Sequence, residues 1–147
     1  MSKRSALRRG FLVLLALVGL AGPGSAQQPP PYETRKVTDN VYIYRHMGHQ
    51  SMFVVTPDGV VATDPINPTA SKIYLDEIRK ITQAPVRYVV YSHHHYDHIS
   101  GGAPFKEAGA TFVAHRRAKE TLERLKNPAV VIPDLVIDDK GVLNVGG

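Results

Sequence analysis

The chain contains no cysteine. An exported protein made from it would carry no disulfide, take no lipid through an N-terminal thiol and offer no thiolate to a metal, so any metal must be held by nitrogen and oxygen. Also missing is an apolar run long enough to span a bilayer. The stretch from Gly10 to Gly22, closed by Pro23, falls short of the roughly 20 apolar residues that a spanning helix needs. A charge excess is missing too once the amino-terminal segment is set aside. The full chain has 18 basic and 13 acidic residues, and removing Lys3, Arg4, Arg8 and Arg9 leaves 14 against 13, a net charge near +1. That balance excludes nucleic acid and an acidic membrane surface as electrostatically recognised partners. Internal repeats are absent, and 147 residues without a bias towards disorder make one compact domain the expectation.

The four cations precede an apolar run from Phe11 to Leu20 and the small residues Gly24, Ser25 and Ala26. This is the pattern of a secretory signal peptide over residues 1–26. Arg8-Arg9-Gly10-Phe11-Leu12 also resembles the twin-arginine export motif, although Leu7 and Val13 depart from its preferences, which leaves the general secretory route as first choice. The mature protein is expected to be periplasmic or secreted, with no stable membrane association after cleavage. Its oligomeric state is not legible.

Gln27 to Tyr32 is rich in Gln and Pro, and residues 27–36 are expected to form a flexible lead-in to a domain over 37–147. Val41 to Tyr44, Met52 to Thr56 and Val60 to Thr63 read as three antiparallel strands, with Pro57-Asp58-Gly59 as hairpin turn chemistry. Ser71 to Thr82 has the spacing of an amphipathic helix. Val86 to Tyr91 is apolar apart from Arg87, as a strand buried on both faces would be. Beyond it the pattern predicts a short helix around Pro104 to Ala108, a strand from Thr111 to Ala114 and a helix from Arg116 to about Lys126. Extended segments over Val130 to Asp139 and Val142 to Val145 follow. The sum is an α/β domain with helices covering one side of a sheet.

The chemistry is concentrated in Ser92-His93-His94-His95-Tyr96-Asp97-His98-Ile99-Ser100-Gly101-Gly102. Alternate side chains of an extended stretch share a face, so His93 and His95 can meet one ion while His94 and Tyr96 point away. A turn after His95 lets Asp97 and His98 reach a second position, near the roughly 3.5–4 Å separation of two-metal sites. Donors of this kind suit zinc, manganese or iron, with zinc the usual choice for hydrolysis. Ligands of open α/β sheets also bind beyond the carboxyl ends of strands. Gly101 and Gly102 permit a tight turn and close backbone approach there. A bare run of three histidines would read as a solvated loop or an adventitious metal trap. Asp97-His98 at fixed spacing, between a buried strand and a Gly-Gly turn, argues against that.

HxHxDH after a hydrophobic strand resembles the metal signature of the metallo-β-lactamase superfamily. Phe53 to Pro65 resembles that superfamily's hairpin and Asp turn, and the likeness runs from about Val37 to Gly147. The resemblance implies the N-terminal half of an αββα sandwich, a mixed sheet with covering helices. It also implies that His93 and His95 bind a first zinc ion and that Asp97 and His98 bind a second, with Asp97 as the candidate catalytic residue. A metal-bound hydroxide would then attack an ester, thioester, lactone or β-lactam carbonyl of a small-molecule substrate. Family members use further ligands, among them a later histidine, a bridging Asp or Cys and a final histidine. After His98 only His115 follows, too close to the motif to serve, so the chain is expected to be part of a longer hydrolase. Two alternatives stay open: an iron-dependent oxidoreductase on the same fold, or a non-catalytic metal-binding fragment. Phosphoester joins the carbonyl substrates as a class the sequence does not decide.

His46 and His49 fall between the first two predicted strands, in a loop that in this superfamily can lie beside substrate, although exposed loop polarity also explains them. Asp64 either supports the metal loop by hydrogen bonding or simply forms the turn before Pro65. His94 and His115 are set aside as ligands, and Arg116, Arg117 and Lys119 read as a solvated helix face.

Overall fold

A computed structural model describes residues 30–146. The signal peptide expected over 1–26, with its export motif, lies outside the described residues. Strands β1 (Tyr32–Lys36), β2 (Val41–His46), β3 (His49–Thr56) and β4 (Gly59–Thr63) pair antiparallel in chain order. Pro57-Asp58 turns the β3–β4 hairpin, with Thr56 opposite Gly59, as the turn residues predict. Four antiparallel strands form where three were expected. Residues 32–36, expected to be the end of a flexible lead-in, form strand β1. Tyr32 and Thr34 alternate inward while Glu33, Arg35 and Lys36 stay exposed, the charged outer pattern of an edge strand.

Helix α1 (Pro68–Ile81) begins where Asn67 accepts hydrogen bonds from the Thr69 and Ala70 N–H groups, with Pro68 in the first turn. Ala70, Tyr74 and Ile78 recur at four-residue spacing on its buried face. Strand β5 (Val86–Val90), the one-turn helix α2 (Tyr96–Ile99), α3 (Ala103–Glu107), β6 (Thr111–His115), α4 (Arg116–Leu125) and β7 (Leu135–Ile137) follow. All seven strands form one sheet in chain order, antiparallel from β1 to β4 and parallel from β4 to β7. Right-handed crossovers that advance in one direction put their helices on one face.

Between that face and the helices lies the core. Tyr44, Phe53, Val60 and Ala62 of the sheet meet Tyr74 and Ile78 of α1 and Phe105 of α3, all at most 1% exposed. Each large side chain so buried contributes about 1.5–3 kcal/mol. Tyr74 stacks on Tyr44 at 4.5 Å and meets Phe105 edge-on at 5.4 Å. Their hydroxyls are satisfied, Tyr74 donating to the Met52 carbonyl at 2.8 Å and Tyr44 to that of Ala70 at 2.9 Å.

Burial of β5 on both faces, expected from its apolar run, is only partly met. Val86 and Val89 are buried, whereas Tyr88 and Val90 are half-buried and Arg87 is exposed. The extended segments expected over 130–139 and 142–145 reduce to Leu135–Ile137. Pro133 has no N–H to give, and pairing starts only after the Asp134 N–H reaches the Phe112 carbonyl at 2.8 Å. Among the described residues no helix is long and apolar enough to cross a membrane.

Candidate metal centre

Two parallel neighbours, β4 and β5, deliver the site from their carboxyl ends. Asp64 follows β4, and its N–H extends the ladder to the Val90 carbonyl at 3.1 Å. The residue is 5% exposed, and its carboxylate takes the Ser92 N–H at 2.8 Å and the Ser92 hydroxyl at 2.5 Å. Ser92 has one hydroxyl proton, and the acceptor-only carboxylate claims it. Toward His93 Nδ1, 2.8 Å away, Ser92 Oγ can therefore only accept. That makes Nδ1 the N–H of His93 and leaves its Nε2 lone pair free for a metal.

The Asp64 to Asn67 loop is locked against α2. Ile66 N–H donates to the His98 carbonyl at 2.8 Å, and the Ser100 hydroxyl donates to the Ile66 carbonyl at 3.3 Å. Asp64 and Ile66 adopt positive φ values of 29° and 64°. For the β-branched Ile66 this is a strained conformation, and the surrounding contacts hold it. Gly101 makes the approach possible, since a Cβ there would sit 2.4 Å from the Pro65 carbonyl oxygen.

His95 keeps extended backbone and α2 starts at Tyr96, the turn expected after His95. The four sequence-predicted residues gather at this corner. The His93 ring lies 4.6 Å from that of His95 and 4.3 Å from that of His98, centre to centre. His98 reaches both carboxylates: Nδ1 is 3.5 Å from Asp64 Oδ2, and Nε2 is 3.8 Å from Asp97 Oδ2. Donor atoms of Asp64, His93 and His98 fall within 4.8 Å of one another, as do those of His49, Asp97 and His98. The arrangement is thus one continuous cluster in which His98 is shared.

The donor set fits a divalent metal. Among the described residues buried His98 Nδ1 has no hydrogen-bond partner, although Asp64 Oδ2 lies 3.5 Å away, and an unpaired buried nitrogen beside a carboxylate is what a cation would relieve. Desolvation of the imidazolium, followed by repulsion from His98 and His95, pushes the His93 pKa down, so the ring is neutral as a ligand must be. A hydrogen bond from His49 at 2.9 Å holds the Asp97 carboxyl below its ordinary pKa. With nitrogen and oxygen donors only, the chemistry suits zinc, iron or manganese.

Other candidates have separate places. His94 is exposed and borders, with Tyr96, Leu122, Leu125 and Val130, a cavity of about 350 Å³ beside the cluster. His115 caps α4, its Nδ1 accepting the Arg117 N–H at 3.1 Å. Arg116 forms a two-pronged, exposed ion pair with Asp138 at 2.6 and 2.9 Å. His46 and His49 face each other across the β2–β3 turn, at strand ends instead of in a loop. Sequence reasoning gave no part to Ser92 and only a minor one to His49. A serine between the strand and the first histidine was the available signal for Ser92. Nothing local marks His49, since only the hairpin register brings it to Asp97.

A sheet whose strand ends converge on this cluster of histidines and carboxylates defines an α/β protein with a candidate metal centre. The chain belongs to the metallo-beta-lactamase superfamily, whose sequence profile matches residues 45–142. Among solved structures it is similar to a subclass B3 metallo-beta-lactamase of Bradyrhizobium japonicum, with 26% identity and a TM-score of 0.66 over 79% of this chain and 49% of that one. It is similar also to a metallo-beta-lactamase from Novosphingobium pentaromativorans, with 28% identity and a TM-score of 0.63 over 73% and 45%. A metallo-beta-lactamase from Pontibacter korlensis shares the fold at 20% identity, with a TM-score of 0.67 over 79% and 57%. The chain therefore spans about half the length of the solved structures it matches. No curated protein matches it in sequence. The mixed sheet with its helices agrees with the architecture that the histidine motif implied.

Proposed function

We propose that the chain supplies the metal-binding half of an exported zinc hydrolase that cleaves a small-molecule ester, thioester, lactone or β-lactam. The observation that carries this reading is His98, placed between two carboxylates and beside His93 at the carboxyl end of a parallel sheet. His93 and His95 would hold one zinc ion, and Asp97 and His98 a second. When bound by these residues, zinc would supply Lewis acidity, acidifying a water and polarising a carbonyl.

The side chains around it perform separate tasks. Asp64 is the anchor: through Ser92 it fixes the His93 tautomer, and it faces His98 Nδ1 directly. Such carboxylate partners orient ligating imidazoles and raise their basicity. Asp97 stays anionic because His49 lowers its pKa, which suits it to hold a cation or orient a water and makes it a weak proton acceptor. Its exposure leaves one side of the cluster open to substrate.

The test is metal analysis of the full-length protein, followed by assays on β-lactam, thioester and lactone panels. Turnover that is lost on chelation and restored by zinc is expected. A fully zinc-loaded but inert protein, or native iron with oxygen uptake, would overturn the reading.

A further inference from the structure

We propose that the cavity beside the cluster is a subsite for an apolar group, an aryl ring or a branched alkyl chain, attached to the scissile carbonyl of the substrate. This narrows the substrate class and rests on the metal hydrolase proposed above, in which that carbonyl sits at the metal.

Three elements of the chain build the cavity. Ile99 at the end of α2 is fully buried, Leu122 of α4 is 3% exposed and Val130, in the loop after α4, is 9% exposed. These three form the floor of a space of about 350 Å³, and Tyr96 and Leu125, 54% and 62% exposed, stand at its rim. Among the described residues no Asp, Glu, Lys or Arg lines it, so a charged group placed there would lose water without gaining a partner. The volume lies at the lower end of the roughly 300–1,000 Å³ of small-molecule pockets. It admits one ring or branched chain, and not a helix about 10 Å across.

The wall is fixed by the fold. Tyr91, between β5 and Ser92, donates its hydroxyl to the Val131 carbonyl at 3.0 Å, and the Val130 N–H donates to the Asn127 carbonyl at 3.2 Å. The first bond pins the loop that carries Val130 to the segment that carries His93. A wall set in advance spares the cost of ordering it around a ligand. His95 joins the cavity to the metal centre: it lines the cavity, and its ring stands 4.6 Å from that of His93, centre to centre. A carbonyl held at the cluster therefore has this cavity as its apolar neighbour.

The test is methyl NMR on the full-length, zinc-loaded protein with labelled Ile, Leu and Val, titrated with acetate and with phenylacetate. The two acids share a carboxylate for the metal and differ by one ring. Phenylacetate should bind at least about tenfold more tightly, and its ring should shift the methyls of Ile99, Leu122, Leu125 and Val130, which acetate leaves unmoved. Leu125→Gln alters a side chain already largely in water, so the fold should persist. It should remove most of the tenfold advantage and leave acetate affinity as it was. Equal affinities, or ring-induced shifts at other methyls, overturn the proposal. So does a cavity that gives no shifts because another part of the full-length chain or a second copy fills it. If the acids fail on a protein that carries zinc at His93 and His95, the proposal falls alone. If the protein takes no zinc there, the metal reading falls first and the proposal with it.

Discussion

Replacing Gly101 with alanine should unlock the loop that carries Asp64 from the helix that carries His98. The new Cβ would lie 2.4 Å from Pro65 O, 2.6 Å from Asn67 O and 2.8 Å from Asn67 C, all backbone atoms with no rotamer to yield. To regain ordinary contact near 3.4 Å, the loop must retreat about 1 Å from α2. That motion stretches the 2.8 Å bond from Ile66 N–H to the His98 carbonyl and the 3.3 Å bond from Ser100 to Ile66. Overpacking costs about 1–3 kcal/mol, and each hydrogen bond lost adds about 0.5–1.5 kcal/mol. A loss of about 2–6 kcal/mol is therefore expected, a large share of the 5–15 kcal/mol typical of a domain. The assay is urea denaturation with a parallel zinc titration, because moving Asp64 away from His98 should weaken zinc binding as well. Gly48→Ala is the control: a Cβ there meets nothing within 4 Å, and the change should stay within about 1 kcal/mol. Wild-type stability and zinc affinity in Gly101→Ala would refute the reasoning.

Other perturbations probe separate layers. Asp64→Asn places amide hydrogens against the Ser92 donors and removes the charge facing His98, so zinc affinity should fall about 10–100-fold in a chelator competition; equal affinity would deny Asp64 its anchoring role. Tyr74→Phe leaves the Met52 carbonyl without its donor and should cost about 1–3 kcal/mol in urea denaturation while the first zinc equivalent binds as before. Burial opposes ionisation of Asp134, but the Lys106 ammonium at 2.7 Å and the Phe112 N–H outweigh it and lower its pKa. The folded value lies below the unfolded one, so this contribution is complete above about 3.9 and is lost as pH falls through the folded value. Asp134→Asn should flatten that acid limb, and an unchanged slope would count against the pairing.

Where residues carried their own signal, the sequence was sufficient. The hairpin turn at Pro57-Asp58, the amphipathic α1, the order of β5 and β6 and the approach of the His93 ring to those of His95 and His98 are all local consequences of spacing and turn chemistry. What escaped was set by pairing across the chain. β1 has only two inward side chains after a proline-rich run, and its existence depends on β2 offering an edge. His49 is ordinary in its own neighbourhood and enters the cluster only because the β2–β3 register aims it at Asp97, 48 residues away. Ser92 acquires a role only once Asp64, at the end of another strand, takes its single proton.

Anomalous scattering at the zinc edge, from crystals of the full chain grown with zinc, tests the central claim most directly. The account predicts zinc bound at about 2.0–2.2 Å by His93 and His95 and by Asp97 and His98, with none on His94 or His115. A zinc signal confined to other residues, with nothing at the His93 to His98 cluster, would contradict it.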